Sequence, residues 1–179
     1  MIRRVALGAL AVPLLVRPGL AQNQTQNQAG QGVVSSQAPP ATDLQQRMLG
    51  AMAFALTTAQ LAERKAENGA VRLFGRLEAE EQTAFTTARE TAGLRVPTIE
   101  LMSEQQRRMM LELRDMEGSR FDRMFLQGQV AGHQALLELH EAAMRSPTSR
   151  EEGMLATVAI PAIRTHQAML DGIQRSMRG

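Results

Sequence analysis

The stretch SRFDRMFLQGQVAGHQALLELHEAAMRS, residues 119–146, decides the fold. At about 100° per residue, Leu126, Val130, Leu136, Leu137 and Met144 all fall within about 60° of His133, so the segment reads as one long amphipathic helix. Asp122, Gln129 and His140 fall in that same stripe and draw a polar line through an apolar face. Ser119, with Asp122 three residues on, resembles a capping arrangement that opens the helix. Ser146-Pro147 closes it, because the residue before a proline is driven out of the helical region.

Working outward, the same punctuation recurs. A helix is expected over about residues 43–67, stopped by Asn68-Gly69, and a second over about 70–92, stopped by Gly93. A shorter helix covers about 100–116, after a loop holding Val96-Pro97, and stops at Glu117-Gly118. Ser149 with Glu152 forms a capping box for a fifth helix that runs to the C-terminus. Pro161 lies inside that helix, removes one backbone bond and is expected to kink it. Four long helices, one short one and short loops imply an all-α bundle with mostly antiparallel neighbours over residues 43–179.

Composition agrees. The chain has 179 residues, 5 Phe, 12 Met and neither Trp nor Tyr, so Leu, Ala and Met must fill the core. Met48, Met52, Met102, Met109, Met110 and Met116 recur at helical spacing and read as gap-fillers rather than a soft-metal site. With no cysteine, thiol catalysis, disulfides and metal–thiolate centres are excluded. No phosphate-binding glycine loop, nucleophile elbow or His-Glu-x-x-His is present, and the reading leans away from an enzyme.

Residues 1–21, MIRRVALGALAVPLLVRPGLA, read as a signal peptide. Arg3 and Arg4 form a basic start, Val5–Val16 a short apolar stretch, and Gly19 and Ala21 the small residues of a cleavage site after Ala21. Pro13, Arg17 and Pro18 interrupt the stretch, which is too short to stay behind as a transmembrane anchor. Residues 22–42, rich in Gln, Asn and Pro, read as a disordered spacer. A periplasmic protein is therefore expected. Removing Arg3, Arg4 and Arg17 from 20 basic residues leaves 17 against 18 acidic ones, a net charge of −1. Nothing in that balance suggests nucleic acid as a partner, and Arg107-Arg108 reads as solvated surface.

Chemistry, if present, lies in polar residues within apolar stripes. On the fifth helix, Leu155, Ala159, Ala162, Met169, Leu170, Ile173 and Met177 lie within about 60° of His166. On the second, Glu78 shares a face with Val71, Phe74 and Phe85, and Glu81 lies one turn on. A buried charge is costly unless paired, so Glu78, Glu81, His133, His166 and Asp122 are expected to meet. Two readings are open. One is a structural acid–histidine network, with Asp122, Gln129 and His140 as further buried polar members. The other is a site for a divalent metal ion or small ligand on Glu78, Glu81, His133 and His166. The Glu-x-x-His pairs of di-iron bundles are absent.

Three segments carry a family resemblance. They are Arg72-Leu73-Phe74-Gly75 through Glu78-Ala79-Glu80-Glu81-Gln82, Phe121-Asp122 with Gln129-Val130 and Gly132-His133, and Ile160-Pro161 with His166. Together with the N-terminal signal, they resemble DUF 4142, a family of exported bacterial ferritin-like four-helix bundles of unassigned function. The resemblance covers residues 43–176. It implies a ferritin-like bundle in the periplasm and no established reaction. Many family members have Asp-His where this chain has Glu81-Gln82. The expectation is an exported binding or structural protein of the cell envelope or stress response with an envelope partner, the alternative being the metal or ligand site.

Overall fold

The computed structural model describes residues 42–178. The expected signal peptide and nearly all of the expected spacer lie outside the described residues. Five α-helices follow in order: α1 Asp43–Lys65, α2 Gly69–Thr91, α3 Glu104–Asp115, α4 Gly118–Arg145 and α5 Arg150–Ser176, with a 3₁₀ turn at Ile99–Leu101 before α3. There is no strand among the described residues, and no helix there is long and apolar enough to cross a membrane.

The helices begin and end for local reasons. Thr42 and Ser103 each cap a helix in a full capping box, with Gln45 and Gln106 reaching back. Asn68-Gly69 works differently from its expected role as a stop. The Asn68 side chain accepts from Ala70 and Val71 N–H and so starts α2, while α1 already ends at Lys65. Gly93 does end α2, at φ 67°, a conformation that favours glycine. Ser119 and Asp122 do not cap α4. Its N-cap is Glu117, with no side-chain bond. The Asp122 carboxylate instead accepts from the backbone N–H of Glu67 (3.2 Å) and Asn68 (2.8 Å), tying the foot of α4 to the α1–α2 loop. The Ser149–Glu152 box is half formed: Ser149 accepts from Glu152 N–H, but the Glu152 side chain turns inward. Helix α5 continues on both sides of Pro161.

Short loops make α1–α2 and α4–α5 antiparallel hairpins. Asp122 places the start of α4 beside the start of α2. Arg89, near the end of α2, meets Glu152 at the start of α5, where α4 has just ended. Helices α2 and α4 therefore run the same way, and the connection 92–117, carrying α3, crosses the bundle once. It packs on α1 and α4. Around the bundle the neighbours are α1–α2, α1–α4, α4–α5 and, most loosely, α2–α5.

The core falls into an apolar cluster around Phe74, Leu113, Phe121, Phe125 and Leu170, and another around Met48, Met52, Leu136, Leu139 and Ile163. On each helix a polar residue separates the two: Thr58 lies between Ala55 and Ala62, Glu78 follows Phe74, His133 lies between Leu126 and Leu136, and His166 lies between Ile163 and Leu170. Close helix approach depends on small residues. A Cβ on Gly75 would lie 2.8 Å from Ala62 Cβ and 2.9 Å from the Ala59 carbonyl oxygen, and one on Gly50 would collide with the Leu101 carbonyl. Alanine is the better helix former by about 1 kcal/mol, but at Gly50 the obstacle is backbone. Gly50→Ala is expected to lower unfolding free energy by about 1–3 kcal/mol, measured by urea unfolding; a gain in stability would show that the 3₁₀ turn gives way freely.

Candidate metal centre

Glu78 is a carboxylate at 0 % exposure, with His133 at 1 % and His166 at 7 %. One oxygen of Glu78, Oε2, lies 2.6 Å from His166 Nδ1 and 3.3 Å from His133 Nε2, and those two nitrogens are 3.3 Å apart. Three ligand-type atoms from α2, α4 and α5 thus face one small volume, and this buried group could hold a metal ion.

Each of the three side chains is held from behind. His133 Nδ1 lies 2.9 Å from the Gln129 carbonyl, which can only accept, so Nδ1 carries the hydrogen and, in the neutral ring, Nε2 turns a lone pair inward. His166 Nε2 lies 3.5 Å from Glu81 Oε2, which leaves Nδ1 inward. Gln82 Nε2 donates to the other oxygen of Glu78 at 3.1 Å. Gln129 is fixed in turn by donating to Thr58 Oγ1 at 2.8 Å, so α1 joins the layer as well. Phe74 packs against both imidazoles, with ring centroids 5.9 Å from His133 and 5.5 Å from His166. An outer partner that orients the ring and fixes its tautomer is the usual company of a ligating histidine.

The charges follow. Burial alone would push the Glu78 carboxyl up, but hydrogen bonds from His133 and His166, and then their charges, outweigh it and hold the group at about 2. Burial opposes a charge on His166, yet its hydrogen bond to Glu78 and the charges of Glu78 and Glu81 raise its pKa above the ordinary value. Burial raises that of the half-buried Glu81. Without an ion, both imidazoles lean on the single oxygen Glu78 Oε2.

The geometry suits a cation. Bonds of about 2.0–2.2 Å to nitrogen and oxygen put neighbouring ligand atoms about 2.9–3.5 Å apart, and two of the three separations are 3.3 Å. The third, at 2.6 Å, is a hydrogen-bond length and would open by a few tenths of an ångström. Gln82 Oε1 is buried with no hydrogen-bond partner among the described residues.

Of the other residues expected here, Glu81 stands behind His166 rather than among the inward atoms. Gln129 supports His133. Asp122 is buried at 1 % exposure but serves the α1–α2 loop. His140 belongs to a second buried cluster that sequence reading missed: Arg89 holds Glu152 through two bonds, of 2.7 and 3.2 Å, and donates to the Arg95 carbonyl. The signal that could have found it is helix phase: Arg89 lies about 20° from Glu78, on the same inward face of α2, as His140 does on the His133 face of α4. A surface groove of about 700 Å³ lies elsewhere, over α4 and α5 beside Gln134 and Gln167.

The family named Domain of unknown function (DUF4142) matches residues 22–173, and the chain belongs to it. No curated protein and no solved structure matches.

Burial, and after it the Arg89 charge, push His140 down from 6.5 to about 4 against the pull of Glu152. The unfolded chain therefore takes up this proton first. The contribution is fully present above about pH 6.5 and is lost as pH falls toward about 4, at up to about 1.4 kcal/mol per unit. His140→Phe is expected to flatten the acid side of the stability profile, measured by urea unfolding between those limits; profiles of equal slope would remove His140 as the source.

Proposed function

We propose that this chain is an exported, periplasmic metal-binding bundle that holds one divalent cation on Glu78, His133 and His166. The observation that carries the reading is the convergence of His133 Nε2, His166 Nδ1 and Glu78 Oε2, each within 3.3 Å of the others in a buried layer spanning α2, α4 and α5. A cation would draw on all three atoms at once. Two imidazoles and one carboxylate form a donor set suited to iron, zinc and similar first-row ions. Three protein ligands also leave a position for water or a small ligand.

Export is supported by the basic, apolar and small-residue order of residues 1–21, and by a family match that begins at residue 22, just after the expected cleavage. The single crossover supports kinship with ferritin-like bundles. This chain lacks their Glu-x-x-His pairs, which favours one ion over two.

A structural polar layer is the second reading, favoured by how completely the outward atoms of the three side chains are bonded. Elemental analysis of the chain purified without chelator, beside a His133→Ala/His166→Ala variant, separates the two. The expected result is one ion per chain, lost in the variant, with a melting temperature that rises on adding metal. Stabilisation of about 2.7 kcal/mol is expected at a hundred times the dissociation constant. No metal in either protein, and no thermal shift with zinc, manganese or ferrous iron, would leave only the structural layer.

A further inference from the structure

Most approaches to the three inward atoms are closed. Glu78 and His133 have almost no exposed surface, and Phe74 covers both rings. What remains open is the His166 edge, where that side chain keeps 9 % exposure and Glu81 keeps 32 %.

Helix phase shows where this edge leads. On α2, Gly75 faces α1. Glu81, Leu77 and Leu73 turn the other way from Glu78, by about 60°, 100° and 140°. On α5, Gln167 faces the groove shared with α4. Met169, Val158 and Thr165 turn the other way from His166, by about 60–100°. These residues are therefore placed along the α2–α5 seam, the loosest of the four seams between the long helices. Leu77, Leu73 and Val158 stay 39 %, 46 % and 64 % exposed, so the lips of the seam are apolar. Within it lies the Glu81 carboxylate, 3.5 Å from His166 Nε2.

We propose that Glu81 is the carboxylate through which a divalent cation passes from solvent to Glu78, His133 and His166, and that it then holds the His166 ring by accepting its Nε2–H. The inference rests on the metal-centre reading. An ion crossing apolar lips must give up hydration water, at high cost unless another oxygen replaces it. Glu81, half in water and one imidazole away from the inward atoms, supplies that oxygen. Once the ion is seated, Glu78 and Glu81 balance its two charges between neutral imidazoles, whereas Glu78 alone would leave one charge buried and uncompensated.

The test uses cobalt(II), whose visible absorption reports its ligands, mixed rapidly with the purified full-length chain and with Glu81→Gln and Glu81→Asp. Circular dichroism confirms that each variant is folded. Glu81→Gln is expected to bind one cobalt with the native spectrum, because the inner ligands are unchanged. Its affinity should be about 10–100-fold lower, as for loss of an outer partner of a ligating histidine, and its uptake slower. Glu81→Asp should recover part of both. Native rate and affinity in Glu81→Gln would overturn the role of Glu81 and leave the metal centre standing. A changed spectrum would make Glu81 an inner ligand and overturn it too. No uptake by the native chain would overturn both.

Discussion

A carboxylate in the middle of an apolar bundle can persist only if other elements bring hydrogen-bonding groups to it. Glu78 is that group, and its demand fixes the register of the bundle. One turn of sliding along α4 or α5 would carry His133 or His166 about 5.4 Å away and strand a buried charge. The layer recruits α1 as well, since Gln129, whose carbonyl orients His133, is pinned by Thr58. The cluster around Met48 and Met52 is built from Met, Ala, Leu and one Ile, shapes that specify alignment weakly, while the other is centred on three Phe. Here the polar layer supplies the specificity and the clusters supply most of the burial.

A second pin stands at the other end. Arg89 and Glu152 form a two-bonded ion pair buried between α2 and α5, and Asp122 closes the opposite end by binding the α1–α2 turn. The loosest seam between the long helices is therefore fastened by charge rather than by packing. That division leaves the stretch of seam over His166 only lightly covered.

Helix phase made much of this legible from sequence. Glu78, His133 and His166 sit at the centres of apolar stripes, and 100° per residue suffices to see that they point inward. Punctuation placed every helix to within a few residues. What escaped was the choice between a local and a distant partner where a polar side chain had both. Asp122 and Glu152 each sit three residues after a serine, and each looked like half of a local cap. Their bonds are made instead with residues 54 and 63 positions away. Asn68-Gly69 was ambiguous for a related reason: the same dipeptide can end one helix or begin the next, and which occurs depends on where the Asn68 side chain finds free N–H groups. Glu81 was placed on the right face but one imidazole too far in, because helix phase gives direction and not depth.

Gly75 has a consequence reaching beyond its own contact. With Ala59 and Ala62 opposite, it draws α2 close against α1. Around the ring of four long helices, α1–α2 and α4–α5 are the close seams and α1–α4 and α2–α5 the more open ones. The most open of the four, α2–α5, is the one over His166. A helix held hard against one neighbour is not free to close on its other neighbour, so the bulk carried at positions 59, 62 and 75 bears on the clearance above His166, and the width of that doorway can be altered through the opposite face of α2.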